Sequence, residues 1–205
     1  MKILIVDDHA IVRDGLRRML EVLADTSVIE AANGRDALTV ARAERPELII
    51  LDLNLPGLGG LELINRLMLD DRARRILVLS MHAEPLYAVR ALEAGATGYL
   101  SKNASPDELI EAVRRVSTGG RYVEADIAQA IAVQGVEAGE PMGRLSARDL
   151  EILRLLAAGA SLAEIADALG VGYKTVANTC SQIKTKLGLA RTADLVRFSV
   201  ERGVG

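Results

Sequence analysis

The chain has 205 residues, half of them apolar and only 2% aromatic, so any core must be mainly Leu, Ile, Val and Ala; this length holds one large domain or two small ones. No apolar run reaches the roughly 20 residues of a membrane span, no signal-peptide pattern precedes the first strand-like segment, and the single cysteine, Cys180, excludes an intramolecular disulfide and suits a reducing compartment; together these predict a cytoplasmic protein with no membrane partner. The net charge of −3 hides an asymmetry, because residues 145–205 carry 8 Lys and Arg against 6 Asp and Glu while the remainder carries 17 against 22, so the front of the chain fits a cation and the back permits contact with polyphosphate.

Lys2–Val6 is a buried strand that ends in Asp7-Asp8-His9. A helical pattern follows, with Ile11, Gly15, Met19 and Val22 near one face. Val28–Ala32 is a second strand, Asn33-Gly34 a turn, and Arg35 to Glu44 a helix with Ala37, Val40 and Ala41 inward, stopped by Pro46. Leu48 to Leu51 runs straight into Asp52 before Pro56-Gly57. A short unbroken apolar run between turn residues is the pattern of a strand buried on both faces. A helix from about Gly60 to Leu69 comes next. Arg75–Ser80 is the fourth strand, and Glu84 to Ala94 a helix closed by Gly95 as a C-cap. Thr97–Leu100 is the fifth strand, followed by Ser101-Lys102. Ser105-Pro106-Asp107-Glu108 combines a cap, Pro at the first helical position and acids near the positive dipole end, so it starts a helix that reaches about Thr118.

Five strand–helix repeats of this length predict an α/β doubly wound, five-stranded parallel sheet with right-handed crossovers and the flavodoxin-like order 2-1-3-4-5. This domain spans residues 1–120. Residues 121–144 form a linker in which Glu124–Val136 has helical character and Gly135, Gly139, Pro141 and Gly143 mark a flexible connection. From residue 145 to 205 the pattern is all-α, with four helices. Ser146 caps the first, which reaches Ala158. Ser161 caps the second, with Leu162, Ile165, Ala166 and Leu169 on one face. The third, Tyr173 to Leu187, buries Val176, Cys180, Ile183 and Leu187. The fourth runs from about Thr192 to Arg202.

In a parallel sheet the carboxyl ends of all strands lie on one edge, where ligands bind. The first strand delivers Asp7 and Asp8 to that edge, the third Asp52, the fourth Ser80 and the fifth Lys102. Three adjacent carboxylates resist ionising together unless a cation joins them. Oxygen-only ligands favour a hard divalent ion, here Mg2+. A carboxylate can attack phosphorus to give an aspartyl phosphate, while Lys102 and the metal neutralise charge on the transferring group and Ser80 donates to a phosphoryl oxygen. His9 is expected to orient a loop. With only His9, His82 and Cys180 available, a zinc site has little support. Phosphohydrolases with an aspartate nucleophile often use a second acid two residues on as general acid; here that position is Asn54, which cannot serve.

Residues 1–118 resemble the receiver domain of bacterial two-component response regulators. The resemblance rests on Val6-Asp7-Asp8-His9, on Leu51-Asp52-Leu53-Asn54-Leu55-Pro56 with Gly60, on Val78-Leu79-Ser80-Met81-His82, and on Gly98-Tyr99-Leu100-Ser101-Lys102. It implies that Asp52 accepts a phosphoryl group from the phosphohistidine of a sensor histidine kinase. It also implies that Asp7, Asp8, Asp52 and the Asn54 backbone carbonyl hold Mg2+, that Ser80 and Tyr99 form a switch pair, and that Lys102 contacts the phosphoryl group. Asn103 stands where relatives often have Asp.

In the back half, a short Gly turn before the third of three tightly spaced helices is the pattern of a helix-turn-helix. Burying Val176, Cys180, Ile183 and Leu187 leaves Lys174, Asn178, Ser181, Gln182 and Thr185 facing outward, where they offer hydrogen bonds to base edges and a charge to phosphate. Leu145 to Leu189 resembles the LuxR-type output domain of the NarL/FixJ subfamily, with Glu164-Ile165-Ala166, Leu169-Gly170 and Lys174-Thr175-Val176 as close matches. The resemblance implies contacts to double-stranded DNA from Lys174, Thr175, Asn178, Ser181, Gln182, Thr185 and Lys186. Thr179-Cys180 departs from the His-Val common in relatives, and Ala177, Asn178 and Ser181 leave mid-helix uncharged. The last helix places Leu195, Phe198, Ser199 and Arg202 on one side, either to cap the core or as a dimer seam; the resemblance favours dimerisation there, and a homodimer is expected on phosphorylation. The expected function is therefore a phosphorylation-controlled transcription factor, with no enzymatic activity beyond its own phosphoryl transfer and dephosphorylation.

Overall fold

The computed structural model describes residues 1–81, 85–134, 145 and 147–201. The chain divides into two compact units, Met1–Gln134 and Gly135–Gly205. The expected helix start at Glu84, the His82 side chain, the Ser146 cap and the glycines and proline of the linker lie outside the described residues.

The first unit alternates strand and helix as β1 (Lys2–Val6), α1 (Ala10–Leu20), β2 (Ser27–Ala31), α2 (Gly34–Glu44), β3 (Leu48–Leu51), α3 (Gly60–Asp70), β4 (Ile76–Ser80), α4 (Pro85–Glu93), β5 (Gly98–Ser101) and α5 (Pro106–Ser117). A two-residue strand β6 (Tyr122–Val123) and a helix α6 (Ala125–Gln134) follow. All strands are parallel, in the order β2-β1-β3-β4-β5-β6. The expected order of the first five strands is thus observed, and a sixth extends the edge. That sixth strand and α6 belong to the first unit, so residues 121–134, expected as linker, are part of the sheet domain.

Local chemistry explains where the helices begin. Ser105 accepts from the Glu108 amide while the Glu108 carboxylate accepts from the Ser105 amide, a capping box with Pro106 at the first helical position. Asn33 caps α2 by accepting from the Asp36 amide. Gly60 is needed for a steric reason: a Cβ there would stand 2.4 Å from Leu53 Cα, so only glycine lets α3 start against the loop that leaves β3.

One face of the sheet is covered by α1 and α5, whose Leu16, Leu20, Leu109, Val113 and Val116 pack with Ile3, Ile5, Leu77, Leu79 and Leu100. The face shared by Ile11, Gly15, Met19 and Val22 is not the one that packs on the sheet. Ile11 is 88% exposed and Val22 69% exposed. The helix has two overlapping apolar stripes, and the second, with Leu16 and Leu20, is the buried one. Ion pairs accompany this orientation: Arg13 and Arg17 both reach Glu30 on β2, and Arg13 also donates to the Asp7 carbonyl, while Leu16 and Leu20 face the sheet. In α2, Leu38 is buried in addition to Ala37 and Ala41, while Val40 is half-buried.

The second unit contains α7 (Ala147–Ala157), α8 (Leu162–Ala168), α9 (Tyr173–Leu187) and α10 (Thr192–Glu201). Its core is Leu150, Leu153, Ile165, Leu169, Val176, Cys180, Ile183 and Leu195, all buried. Leu187, expected inside, is half-buried. A capping box of Ser161 and Glu164 starts α8, and Gly188 ends α9 at φ 68°, a backbone conformation that favours glycine.

The two α1 stripes are separable by mutation. Leu20→Ala should cost about 2–5 kcal/mol as a large-to-small core change, and Ile11→Ala no more than about 0.5 kcal/mol as a surface change. Urea unfolding of the two variants decides this, and equal losses would contradict the observed rotation of α1.

Candidate functional site

The carboxyl edge of the sheet gathers the predicted residues. Strand pairing carries the chain into the site, because the Asp52 amide donates to the Val6 carbonyl at 2.9 Å and the Lys102 amide to the Ser80 carbonyl at 2.8 Å. Asp7 and Asp52 are each 2% exposed and Ser80 is fully buried. Lys102 crosses from the end of β5 and places Nζ 2.7 Å from Asp7 Oδ2 and 2.7 Å from Asp52 Oδ2. The remaining oxygens are held by backbone: Asp7 Oδ1 accepts from the His9 amide at 2.8 Å, and Asp52 Oδ1 from the Asn54 amide at 3.1 Å.

Burial alone pulls the Lys102 pKa down, but the hydrogen bonds and charges of Asp52 and Asp7 outweigh it and hold the ammonium above the ordinary lysine value. A raised pKa means that the link contributes in full below the unfolded lysine value and is lost only as pH rises through the folded one. It is therefore intact throughout the neutral range.

Ligand atoms of Asp7, Asp8, His9 and Asp52 lie within 4.8 Å of one another. Three carboxylates facing one ammonium leave an excess of negative charge, and their oxygens suit a hard divalent cation. This is an acidic pocket able to hold a metal ion. His9, expected only to orient the loop, brings Nδ1 2.8 Å from Asp8 Oδ1 and 3.2 Å from Asp7 Oδ1, so it borders the cluster as well. Its position two residues after Asp7 was the available signal.

Ser80 and Tyr99 lie on the same face of neighbouring strands, because Val78 pairs with Tyr99 and Ser80 with Ser101. Tyr99 is fully buried.

In the second unit, Lys174, Thr175, Asn178, Ser181, Gln182 and Thr185 are all exposed along α9. Lys186 is placed differently. Its ammonium pairs with the buried carboxylate of Asp149 on α7, a partner 37 residues away that helical spacing does not reveal. Burial pushes the Cys180 thiol up, in keeping with a small apolar core residue.

Two of the four residues expected at a dimer seam are committed inward. Leu195 and Ser199 are fully buried, and the Ser199 hydroxyl donates to the Leu195 carbonyl at 2.8 Å. They cap the core of their own unit, because α10 packs along α7. Phe198 is half-buried, and Arg202 lies outside the described residues. The large apolar side chain that α10 does expose is Val200, at 63%.

No helix among the described residues is long and apolar enough to cross a membrane. Residues 3–114 match the response regulator receiver domain family, and residues 143–199 match the luxR family of bacterial regulatory proteins. The chain therefore belongs to the two-component response regulators that carry a LuxR-type DNA-binding domain, a family of transcription regulators. It is 40% identical to the transcriptional activator protein ExaE of Pseudomonas putida, over 100% of this chain and 98% of that protein. It is 34% identical to the response regulator UvrY of Escherichia coli, over 100% and 95%. Among solved structures it resembles RcsB from Salmonella enterica serovar Typhimurium bound to promoter rprA in the presence of phosphomimetic BeF3-, with 28% identity and a TM-score of 0.70 over 97% of this chain and 98% of that one.

Two consequences of this geometry are measurable. Asp8 shares the pocket with two other carboxylates while Lys102 bonds Asp7 and Asp52, so Asp8→Asn should raise stability in metal-free buffer by about 1 kcal/mol; a thermal melt in metal-free buffer that matches wild type would contradict this. Lys186→Met leaves the Asp149 carboxylate buried without its ammonium, which should cost the helical unit about 1–3 kcal/mol, and an unchanged denaturation midpoint would show that the pair contributes nothing.

Proposed function

We propose that Asp52 is the phosphoacceptor of this regulator, and that its phosphorylation controls dimerisation and DNA binding. The observation that carries the reading is the pair of 2.7 Å contacts from Lys102 to Asp7 and Asp52, which holds an ammonium against the carboxylate that follows β3. An Asp52 oxygen attacks the phosphorus of a sensor kinase phosphohistidine. The O–P bond forms, the P–N bond breaks, and the imidazole leaves with the bonding pair. Lys102 moves its hydrogen bond from carboxylate to phosphoryl oxygen and offsets the added charge. The buried Ser80 hydroxyl orients the phosphoryl group, and Tyr99 packs behind it.

Mg2+, when bound, neutralises charge on the transferring group. Asp7, Asp8, Asp52 and the Asn54 backbone carbonyl would hold it. Small phosphodonors replace the kinase in this chemistry, so the protein promotes its own phosphorylation and dephosphorylation and has no other enzymatic role.

The exposed face of α9, from Lys174 and Thr175 through Asn178, Ser181 and Gln182 to Thr185, enters the major groove of double-stranded DNA. The RcsB structure bound to promoter DNA supports this reading. Lys186 acts from beneath, by holding α9 to α7 through Asp149. A homodimer formed on phosphorylation presents two such helices to paired half-sites, and the added charge shifts the receiver between two states. With DNA as ligand and one buried cysteine, the protein acts in the cytoplasm.

Incubation with acetyl phosphate and Mg2+ should add the mass of one phosphoryl group to wild type and none to Asp52→Asn. Phosphorylated wild type should then bind target DNA at least about tenfold more tightly, a coupling of ~1.4 kcal/mol. Equal DNA binding by wild type and Asp52→Asn after treatment would defeat the switch.

A further inference from the structure

The segment expected as linker contributes a side chain that reaches back towards the phosphorylation pocket. Strand β6 is only two residues long, pairing Gly98 with Tyr122 and Tyr99 with Val123. Its ladder runs out before the end of β5, where Ser101 is 4% exposed. A buried amide without an acceptor costs about 1–3 kcal/mol, and Glu124 supplies the acceptor: the Ser101 amide donates to Glu124 Oε2 at 2.7 Å. Glu124 is itself tied to the same strand and to α6, because its amide donates to the Tyr99 carbonyl at 3.1 Å and its carbonyl accepts from the Ala128 amide at 2.9 Å.

Three successive amides at the end of β5 are thereby held by three different acceptors. The Ser101 amide is held by Glu124, the Lys102 amide by the Ser80 carbonyl at 2.8 Å, and the Asn103 amide by Ser101 Oγ at 3.1 Å. Lys102 launches its side chain from the middle of this arrangement to reach Asp7 and Asp52. Two of the holds come from the sheet and its adjoining turn. The third is a carboxylate on a different element and is removable by one substitution.

We infer that Glu124 is a positioning residue for phosphoryl transfer at Asp52: by accepting from the Ser101 amide it fixes the strand end from which Lys102 reaches the two carboxylates. The inference rests on the reading of Asp52 as phosphoacceptor and adds a residue to it. Because Glu124 also opens α6, the hold is reciprocal: whatever shifts Lys102 also acts on the start of α6.

The test compares wild type, Glu124→Ala and Glu124→Gln, each with and without Lys102→Ala, in the full chain. Two quantities are measured: the initial rate of phosphorylation by acetyl phosphate with Mg2+, and hydrogen exchange at the Ser101 amide. Glu124→Ala should slow phosphorylation by about tenfold, as expected for a misplaced charge partner, and speed exchange at Ser101. Glu124→Gln keeps an acceptor oxygen and should restore both to within about twofold of wild type. With Lys102→Ala present, Glu124→Ala should cause no further loss, because the effect passes through Lys102. Should Glu124→Ala fail to fold, Glu124→Asp, one methylene shorter, takes its place. Wild-type rates in the Glu124→Ala protein, or an equal loss with and without Lys102, overturn the inference while leaving the phosphoacceptor reading intact. Absence of phosphorylation in wild type overturns both.

Discussion

The ammonium of Lys102 stands between two buried carboxylates, and the first unit is built to keep it there. Asp7 and Asp52 end adjacent strands, β1 and β3, so the parallel sheet brings them together and burial denies them bulk water. Two buried anions side by side are costly without a counter-charge. Lys102 provides one from two strands further along, and its peptide is pinned before its side chain begins. The pocket still holds more negative than positive charge. That imbalance makes it a pocket able to hold a cation. A chemical step at this edge therefore changes the balance that the sheet itself depends on, which is how a local event can bias a whole unit.

The second unit solves a different problem. Its third helix must stand on a firm base while presenting a polar face to a partner. Val176, Cys180 and Ile183 bury one side of α9, and the Lys186–Asp149 pair fastens its last turn to α7. That pair withdraws a lysine from the outer face, leaving Lys174 as the charge among the exposed face residues from Lys174 to Thr185. Such a face can offer hydrogen bonds to bases more readily than charge to phosphates. On α10, Leu195 and Ser199 are part of the same base, so a subunit seam on that helix must use other residues, of which Val200 is the exposed apolar one.

Most of this was legible in the sequence where the signal is local. The unbroken apolar runs of β1, β3 and β4 define strands buried on both faces, and the residues that follow them are the ones the sheet edge brings together. Repeated strand–helix units and right-handed crossovers define a parallel doubly wound sheet, and the observed order of its first five strands is the flavodoxin-like one. The inward face of α1 was not legible, because two apolar stripes overlap and which of them packs on the sheet depends on contacts with other elements. Strand β6 is too short to show a period. The Lys186–Asp149 and Ser101–Glu124 contacts join residues far apart in the chain, so no spacing rule finds them. The commitment of Leu195 and Ser199 to the core is a matter of how α10 packs, and helical periodicity alone allowed a seam or a cap equally.

The central question at this edge is which carboxylate carries the phosphoryl group. Protein treated with acetyl phosphate and Mg2+ can be reduced with borohydride, which converts an aspartyl phosphate to homoserine, and the position then read by peptide mass spectrometry. The account predicts homoserine at position 52 and at neither 7 nor 8. Conversion at position 7 or 8, or at no aspartate, would contradict the assignment of Asp52 as the nucleophile and of Asp7 and Asp8 as the acids that support it.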